Sequence, residues 1–484
     1  MRVCLVQPNI EASITVKRSY PPLGLGYLAT VLKNNNVDVT LLDAQALNMS
    51  EQQMEQYFIE QKFDIIGITS TTWQLAGAIK CCQISKKVNS NTLTLMGGVH
   101  PTFYPKETLG FNDIDIIVRG EGEITLQELI SQIDKKLPLN DINGIAFKHN
   151  GEIIITSNRQ PIEDLDSIPF PDRNLFKKDY YKCYTTVVRQ KPCFSIVSSR
   201  GCHFKCNFCS SPDFWQKQRL RSPKNIVDEI EMLVNNLGAK EIMFVVDTFN
   251  ATLEHAKELC QEIIDRKLKI SWRTNARVYP IDEELVKLMK RAGCWLVYYG
   301  VENGNPEMMK KIGKAITPEK VIRAFDITEK AGIRTFAYFI IGLPGETEQS
   351  IKETIALQKK IHPDFMVYGK PMIFPGTRLY EIAVSQGIAS PVADGQYYTV
   401  PYYITKEMTE EVMDKYIKSV FKNHYLNPSY IFKRAMRIRS FTELLSTVES
   451  ALPSIMPSVK NPFDGGRWLR GNIDTKKTSI NKTS

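Results

Sequence analysis

Residues 198–215 read SSRGCHFKCNFCSSPDFW and carry three cysteines, Cys202, Cys206 and Cys209, in the pattern C-x3-C-x2-C. A structural zinc ion takes four ligands, commonly as two pairs. The nearest further donor is His203, which sits directly beside Cys202 and is badly placed to close a tetrahedron. No second cysteine pair follows at zinc-ribbon distance. An iron–sulfur cube suits the spacing better, because cysteine thiolates are its usual ligands. Three thiolates on a [4Fe–4S] cube leave one iron without a protein ligand and open to a small molecule. The missing fourth cysteine is therefore informative.

The rest of the composition is compatible with that reading. The chain has 484 residues, 43% hydrophobic and 24% charged, as in ordinary globular proteins, and its length predicts two or three domains. No apolar run approaches the roughly 20 residues that would span a bilayer. The start, MRVCLVQPNI, reads as a first strand and not as a signal peptide. Ten cysteines without an export signal point to reduced thiols and a cytoplasmic protein. The formal net charge is +9, and residues 401–484 hold 14 Lys+Arg against 8 Asp+Glu. A solvated basic tail accounts for this excess, and no nucleic-acid partner is expected from it.

Outward from the cysteines the chain alternates strands and helices twice. In the first 130 residues, RVCLVQP, VDVTLLDA, FDIIGITST, TLTLMGGVHP and IDIIVRGEGE read as short strands, most of them followed by helical patterns. Near-continuous apolar strands in this alternation predict a parallel, doubly wound sheet covered on both faces. Ligands bind such sheets beyond the carboxyl ends of the strands. Those ends carry Pro8-Asn9, Thr69-Ser70-Thr71, Gly97-Gly98-Val99-His100 and Gly120-Glu121-Gly122-Glu123. We expect a Rossmann-like domain over 1–135 and a connector over 136–190 with a hairpin turning at His149-Asn150-Gly151. A second α/β region over 191–400 offers six β/α units, FSIVSSRGC first, which fit a partial (β/α)6 barrel of the TIM type. Such barrels place their chemistry at the strand carboxyl ends, where the cysteines lie. Residues 401–465 read as a helical extension and 466–484 as a disordered tail.

Cys202, Cys206 and Cys209, with an aromatic at Phe208, resemble the signature of the radical S-adenosylmethionine (SAM) superfamily. The resemblance implies a [4Fe–4S] cluster whose open iron chelates SAM, and SAM cleavage to methionine and a 5′-deoxyadenosyl radical after one-electron reduction. It also implies contacts to SAM. VVDTFN, with Asp247, falls where the methionine amino group is met. Glu302 in YGVEN falls at the ribose hydroxyls, and FIIGLPGE, with Gly342, at the adenine. Their residue chemistry agrees, since carboxylates accept hydrogen bonds from ammonium and hydroxyl groups. Helix capping is the alternative for each. Arg277, at a strand end, could pair with the SAM carboxylate or serve the structure.

PPLGLGYLA with Pro22 and Gly24, GGVHPTFYPKETL, and RGEGEIT resemble the cobalamin-binding domain that precedes the barrel in B12-dependent radical SAM proteins. Together the resemblances span roughly 1–390, and more weakly the C-terminal helices. They imply cobalamin contacts at Pro8, Pro22, Gly24, Thr69, Ser70, Gly97, Gly98, His100, Gly120, Glu121 and Glu123. One departure stands out. No histidine precedes His100, so the D-x-H-x-x-G ligand to cobalt is missing, and the expected cobalamin has no lower axial His. The expected function is methylation of an unactivated carbon. An oxidative cyclase or rearrangement enzyme is the alternative, and a non-catalytic cobalamin or redox sensor a minor one. The expected partners are a small-molecule or peptide substrate and a flavodoxin- or ferredoxin-type electron donor. No proton or hydrogen-atom donor is assigned. Cys193 and Cys294 are candidates or buried small hydrophobes. Tyr298, Tyr299, Tyr338 and Tyr368 are candidates for the substrate pocket or for the core.

Overall fold

The computed structural model describes residues 1–9, 21–176, 187–393, 395 and 400–438. The expected tail, and the expected extension beyond 438, lie outside the described residues.

The N-terminal sheet is built from β1 (Arg2–Gln7), β2 (Asp38–Asp43), β3 (Ile65–Thr69), β4 (Leu93–Gly97), β5 (Ile116–Val118), β6 (Ile145–His149) and β7 (Glu152–Ile155). Their order is β2-β1-β3-β4-β5-β6-β7, with the first five parallel and the last two antiparallel. The strands are apolar on both faces because both are covered. Cys4 and Val6 pack with Leu75, Ala78 and Ile79 on one side, while Val3 and Leu5 pack with Leu25, Ala29 and Leu126 on the other. The sequence reading is corrected at one point. The hairpin placed in the connector is the antiparallel edge of this sheet, so the first domain reaches past residue 135.

The second region has a six-stranded parallel sheet and a short ribbon. Its strands are β8 (Cys193–Val197), β9 (Ser199–Arg200), β10 (Arg219–Leu220), β11 (Glu241–Val245), β12 (Ser271–Arg277), β13 (Cys294–Glu302), β14 (Arg334–Ile340) and β15 (Phe365–Gly369). The sheet order β15-β14-β13-β12-β11-β8 is an open, partial (β/α)6 barrel. β9 and β10 pair antiparallel on either side of the cysteine loop. Helices Glu410–Tyr425 and Pro428–Met436 follow. The outer core lies between sheet and helices, and a smaller cluster of Trp295, Leu296, Tyr298, Phe336 and Phe365 packs on the inner face of the sheet.

The two regions meet through aromatic side chains from their loop ends. Trp73 lies against Phe374, Phe103 against Phe214, and Tyr104 against Tyr380, with centroids 6.1–6.4 Å apart. Gly376 has φ +73°, and a Cβ there would lie 2.6 Å from the Phe103 ring. The crevice end of the first sheet therefore faces the mouth of the barrel.

Candidate cluster, SAM and cobalamin sites

The cysteine loop is held by its backbone. The Asn207 N–H donates to the Ile312 carbonyl at 3.0 Å, and the Asn207 carbonyl accepts from Leu379 N–H at 2.8 Å. Phe208 is half-buried and wedges between Met308, Ile312, Leu343 and Ile340 on one side and Ile373 and Leu379 on the other. It anchors the loop to the β14 and β15 ends. Gly201 (φ +83°) is confined too, since a Cβ would lie 2.4 Å from the Lys217 carbonyl oxygen.

Each of the three cysteines is half-buried. Cys202 Sγ lies 3.6 Å from Thr248 Oγ1, and Cys206 Sγ accepts from Arg277 Nη1 at 3.7 Å. Burial pushes the Cys209 thiol up to about 11, with Cys206 and Cys202 adding to the rise and the Ser211 N–H opposing it. Metal coordination would deprotonate it outright. Among the described residues no three His, Cys, Asp or Glu side chains converge closely enough to hold a single ion. Three thiolates from one loop fit the donor set of a cube. His203 is engaged elsewhere, its Nδ1 2.7 Å from Gln218 Oε1.

The carboxylates expected near SAM flank this loop. Asp247, after β11, accepts from Ser211 Oγ at 2.7 Å and from the Gly201 N–H. It is open to the mouth, yet crowding by the protein raises its pKa, with those hydrogen bonds opposing. Glu302 ends β13 in a left-handed conformation (φ +67°) at a bulge against β14. Its Oε1 accepts from Lys314 Nζ at 2.6 Å, both side chains being nearly buried. Gly300 makes this possible, because a Cβ there would meet Glu302 Oε1 at 2.4 Å and Lys314 Nζ at 2.7 Å. Gly342 has φ +101°, and its N–H donates to Glu346 Oε2 at 2.6 Å. Glu346 also accepts from Leu343 N–H and from Asn303 Nδ2, the latter at 2.5 Å. Burial raises its carboxyl despite these bonds. Glu346 thus ties the ends of β13 and β14 together.

Sequence reasoning passed over Lys314, Thr248, Phe204 and Asn303. Phe204 sits inside the cysteine motif and could have been singled out, whereas nothing local marks Lys314, which meets Glu302 only through the fold. Of the four tyrosines, Tyr298 and Tyr338 stack in the lumen with Phe336, and Tyr338 is 37% exposed. Tyr299 and Tyr368 take the core alternative and lie in the outer core. Tyr299 bonds Thr328, and Tyr368 stacks on Phe339. Neighbours on a strand point to opposite faces, so Tyr298 and Tyr299 could never share a pocket. Cys294 opens β13 and is also buried in the outer core, whereas Cys193 is half-buried, 3.8 Å from Arg273 Nη2.

The N-terminal crevice is a cavity of about 190 Å³. Its floor is apolar (Leu5, Ile68, Met96, Val118), and its rim includes Gly24, Thr69, Gly97, Gly98, Gly120, Glu121 and Glu123. A Cβ on Gly24 or Gly120 would meet no atom within 4 Å, so bare backbone faces open space there. A bulky ligand can approach closely, which suits cobalamin. Pro8, Pro22, Ser70 and His100 do not line it. His100 is fully buried, with Nδ1 3.3 Å from Thr72 Oγ1 and Nε2 3.5 Å from Glu107. No histidine is among the described lining residues.

The crevice roof comes from the barrel side, as Arg200, Phe214 and Trp215. Arg200 lies over the rings of Tyr27 and Trp215 and reaches Glu121 Oε1 at 2.6 Å and Glu123 Oε1 at 2.5 Å. Arg219 takes the other Glu121 oxygen at 2.6 Å. The two carboxylates expected to touch cobalamin are therefore neutralised by arginines that bracket the cysteines.

The Radical SAM superfamily model matches residues 196–357, and the B12 binding domain model matches 12–130. An uncharacterized methyltransferase of Pyrococcus horikoshii is 34% identical over 438 residues, covering 90% of this chain and 94% of its own. The anaerobic magnesium-protoporphyrin IX monomethyl ester cyclase of Rubrivivax gelatinosus is 32% identical over 497 residues, covering 99% and 87%. Among solved structures, the cobalamin-dependent SAM radical enzyme OxsB superposes with a TM-score of 0.71 at 19% identity, covering 97% of this chain and 75% of that one. The methyltransferase TsrM of Kitasatospora setae gives 0.68 at 22%, covering 81% and 77%. These two likenesses concern the fold. Among the described residues no helix is long and apolar enough to cross a membrane. A cysteine loop at a partial-barrel mouth, roofing a glycine-rimmed crevice in a doubly wound domain, agrees with both matches: the chain belongs to the radical SAM superfamily, in the branch that carries a B12-binding domain, and its cofactors are a [4Fe–4S] cluster, SAM and cobalamin.

Proposed function

We propose that this chain methylates an unactivated carbon of a small-molecule or peptide substrate. The observation that carries the reading is the shared segment 198–220. Its ends, Arg200, Phe214 and Trp215, roof the crevice, while its middle holds Cys202, Cys206 and Cys209 at the barrel mouth. When bound, the cluster and SAM supply a 5′-deoxyadenosyl radical, and cobalamin supplies a transferable methyl group. The protein's own work is positional. The three cysteines hold the cluster, Asp247 and Glu302 accept hydrogen bonds from SAM, and the turn at Gly342 packs on its adenine. Gly24, Thr69, Gly97, Gly98 and Gly120 cradle cobalamin. Tyr298, Phe336 and Tyr338 line a lumen that suits an apolar portion of the substrate and keeps water from it. Free thiols at Cys4, Cys81, Cys82, Cys260 and Cys294 fit a reducing, cytoplasmic setting with a flavodoxin- or ferredoxin-type donor.

The second reading is a cyclase or other rearrangement with the same cofactors. It is favoured by the relative that aligns along 99% of this chain. One experiment separates the two. Protein reconstituted anaerobically with iron, sulfide and cobalamin is reduced and given SAM, and 5′-deoxyadenosine and S-adenosylhomocysteine are quantified together. Both products, the second dependent on cobalamin, support methyl transfer. Deoxyadenosine alone supports the cyclase reading.

A further inference from the structure

Arg277 ends β12 and is only 7% exposed, a costly position for an obligate cation unless the site uses the charge. Among the described residues no carboxylate forms an ion pair with it. Its Cζ stands 3.7 Å over the centre of the Phe204 ring, inside the cysteine motif. Nη1 points at Cys206 Sγ, 3.7 Å away, and Nη2 donates to the Lys314 carbonyl at 2.8 Å. Among the described residues Nε has no hydrogen-bond partner. Lys314 in turn carries the ammonium that holds Glu302. The cation therefore faces sulfur, ring and carbonyl, and the unbalanced charge is the Cys206 thiolate of the loaded cluster.

Resting on the cluster assignment above, we propose that Arg277 serves the cluster: it donates an N–H···S hydrogen bond and a desolvated positive charge to the Cys206 thiolate and so raises the cluster's reduction potential. Cluster potentials follow net charge and hydrogen bonds to the sulfurs. One-electron reduction adds a negative charge beside a fixed cation in a poorly screened site, so the cation favours the reduced state. Phe204 holds the guanidinium flat from one side by a cation–π contact. Lys314, through its carbonyl, sets its direction from another. Arg277 is here a positioning and tuning residue.

The test uses reconstituted full-length protein without SAM, followed by an EPR-monitored redox titration. Arg277→Gln is expected to keep four irons per chain and to shift the midpoint to a more negative potential. Arg277→Lys, which keeps a charge but not the flat fork, should shift it less. An unchanged midpoint in both variants overturns the proposal, most clearly if SAM affinity falls in the same proteins, since Arg277 would then serve only the SAM carboxylate. Because either variant could fail to assemble, the unsubstituted protein provides a second readout. With ¹⁵N-arginine incorporated, its reduced cluster should show a ¹⁵N coupling in pulsed EPR, and absence of that coupling overturns the proposal. If the unsubstituted protein assembles no cluster, the cluster assignment itself fails and takes this inference with it.

Discussion

Arg200→Met isolates the charge lock between the two domains. Arg200 and both its glutamate partners are no more than 8% exposed, so solvent screens them little. Removing one member of a buried ion pair costs about 3–5 kcal/mol, because the other charge is left uncompensated. The two glutamates are not equally affected. Glu121 keeps Arg219 at 2.6 Å and the Ile162 N–H at 2.8 Å, whereas among the described residues Glu123 forms its ion pair with Arg200. The loss is therefore placed at Glu123, near the lower bound, at about 3 kcal/mol. Met fills the same space and still packs on Tyr27 and Trp215, so the lost packing is small. Arg200→Met with Glu123→Gln should then recover most of the stability, giving a coupling of about 2 kcal/mol in a double-mutant cycle. Urea unfolding of the four proteins, followed by tryptophan fluorescence, measures it. A single-variant loss below about 1 kcal/mol, the range of exposed pairs, would refute the argument. So would a double variant no more stable than Arg200→Met.

Cys202→Ala, Cys206→Ala and Cys209→Ala should each abolish iron–sulfur absorbance and SAM cleavage, and full activity in any of them would remove that ligand. Gly300→Ala should weaken SAM binding with the cluster retained, since the new methyl occupies the space of the Glu302–Lys314 contact; equilibrium dialysis with SAM reads it. Acid should loosen the domain interface through Glu121. Burial alone would raise its carboxyl, but the Arg219 hydrogen bond and the Arg200 charge outweigh it and leave the pKa below the ordinary 4.5. A depressed carboxyl gives stability that is present above the unfolded value and lost as pH falls through the folded one. The stability gap between the unsubstituted protein and Glu121→Gln should therefore shrink below pH 4.5, and a gap that widens there would contradict the sign.

Much of this arrangement was legible in the sequence, because both domains place ligands at strand ends. Apolar runs ending in glycine, serine, threonine or cysteine located β3, β4, β5 and β8 and the loops that follow them. What could not be read is what those loops meet. His100 follows two crevice glycines in the chain, but the turn after Gly98 carries its ring under the loop to Thr72, away from the cavity. Glu121 and Glu123 do reach the crevice rim, and their charges are spent on Arg200 and Arg219, 79 and 98 positions from Glu121. Lys314 lies beyond the strand that carries Glu302, in a turn with no motif. Side-chain parity is legible in the sequence, since adjacency alone separates Tyr298 from Tyr299.

Those long-range pairings give the cysteine segment two tasks. Arg200 and Arg219 form the antiparallel ribbon of β9 and β10 that closes the cysteine loop at its base. The same two side chains neutralise the crevice glutamates. A shift in the loop must then move the crevice roof, and an occupied crevice must press on the loop, because Gly201 leaves no slack against Lys217. Any coupling between the two sites is reciprocal in binding free energy. Cobalamin should therefore bind more tightly to protein carrying its cluster than to protein stripped of iron, and added cobalamin should slow chelation of that iron by the same coupling. Equilibrium dialysis of the iron-loaded and iron-free forms measures the first effect, and the iron release rate the second. Equal cobalamin affinity in the two forms would mean that the ribbon transmits nothing, and that the shared segment is only a common wall.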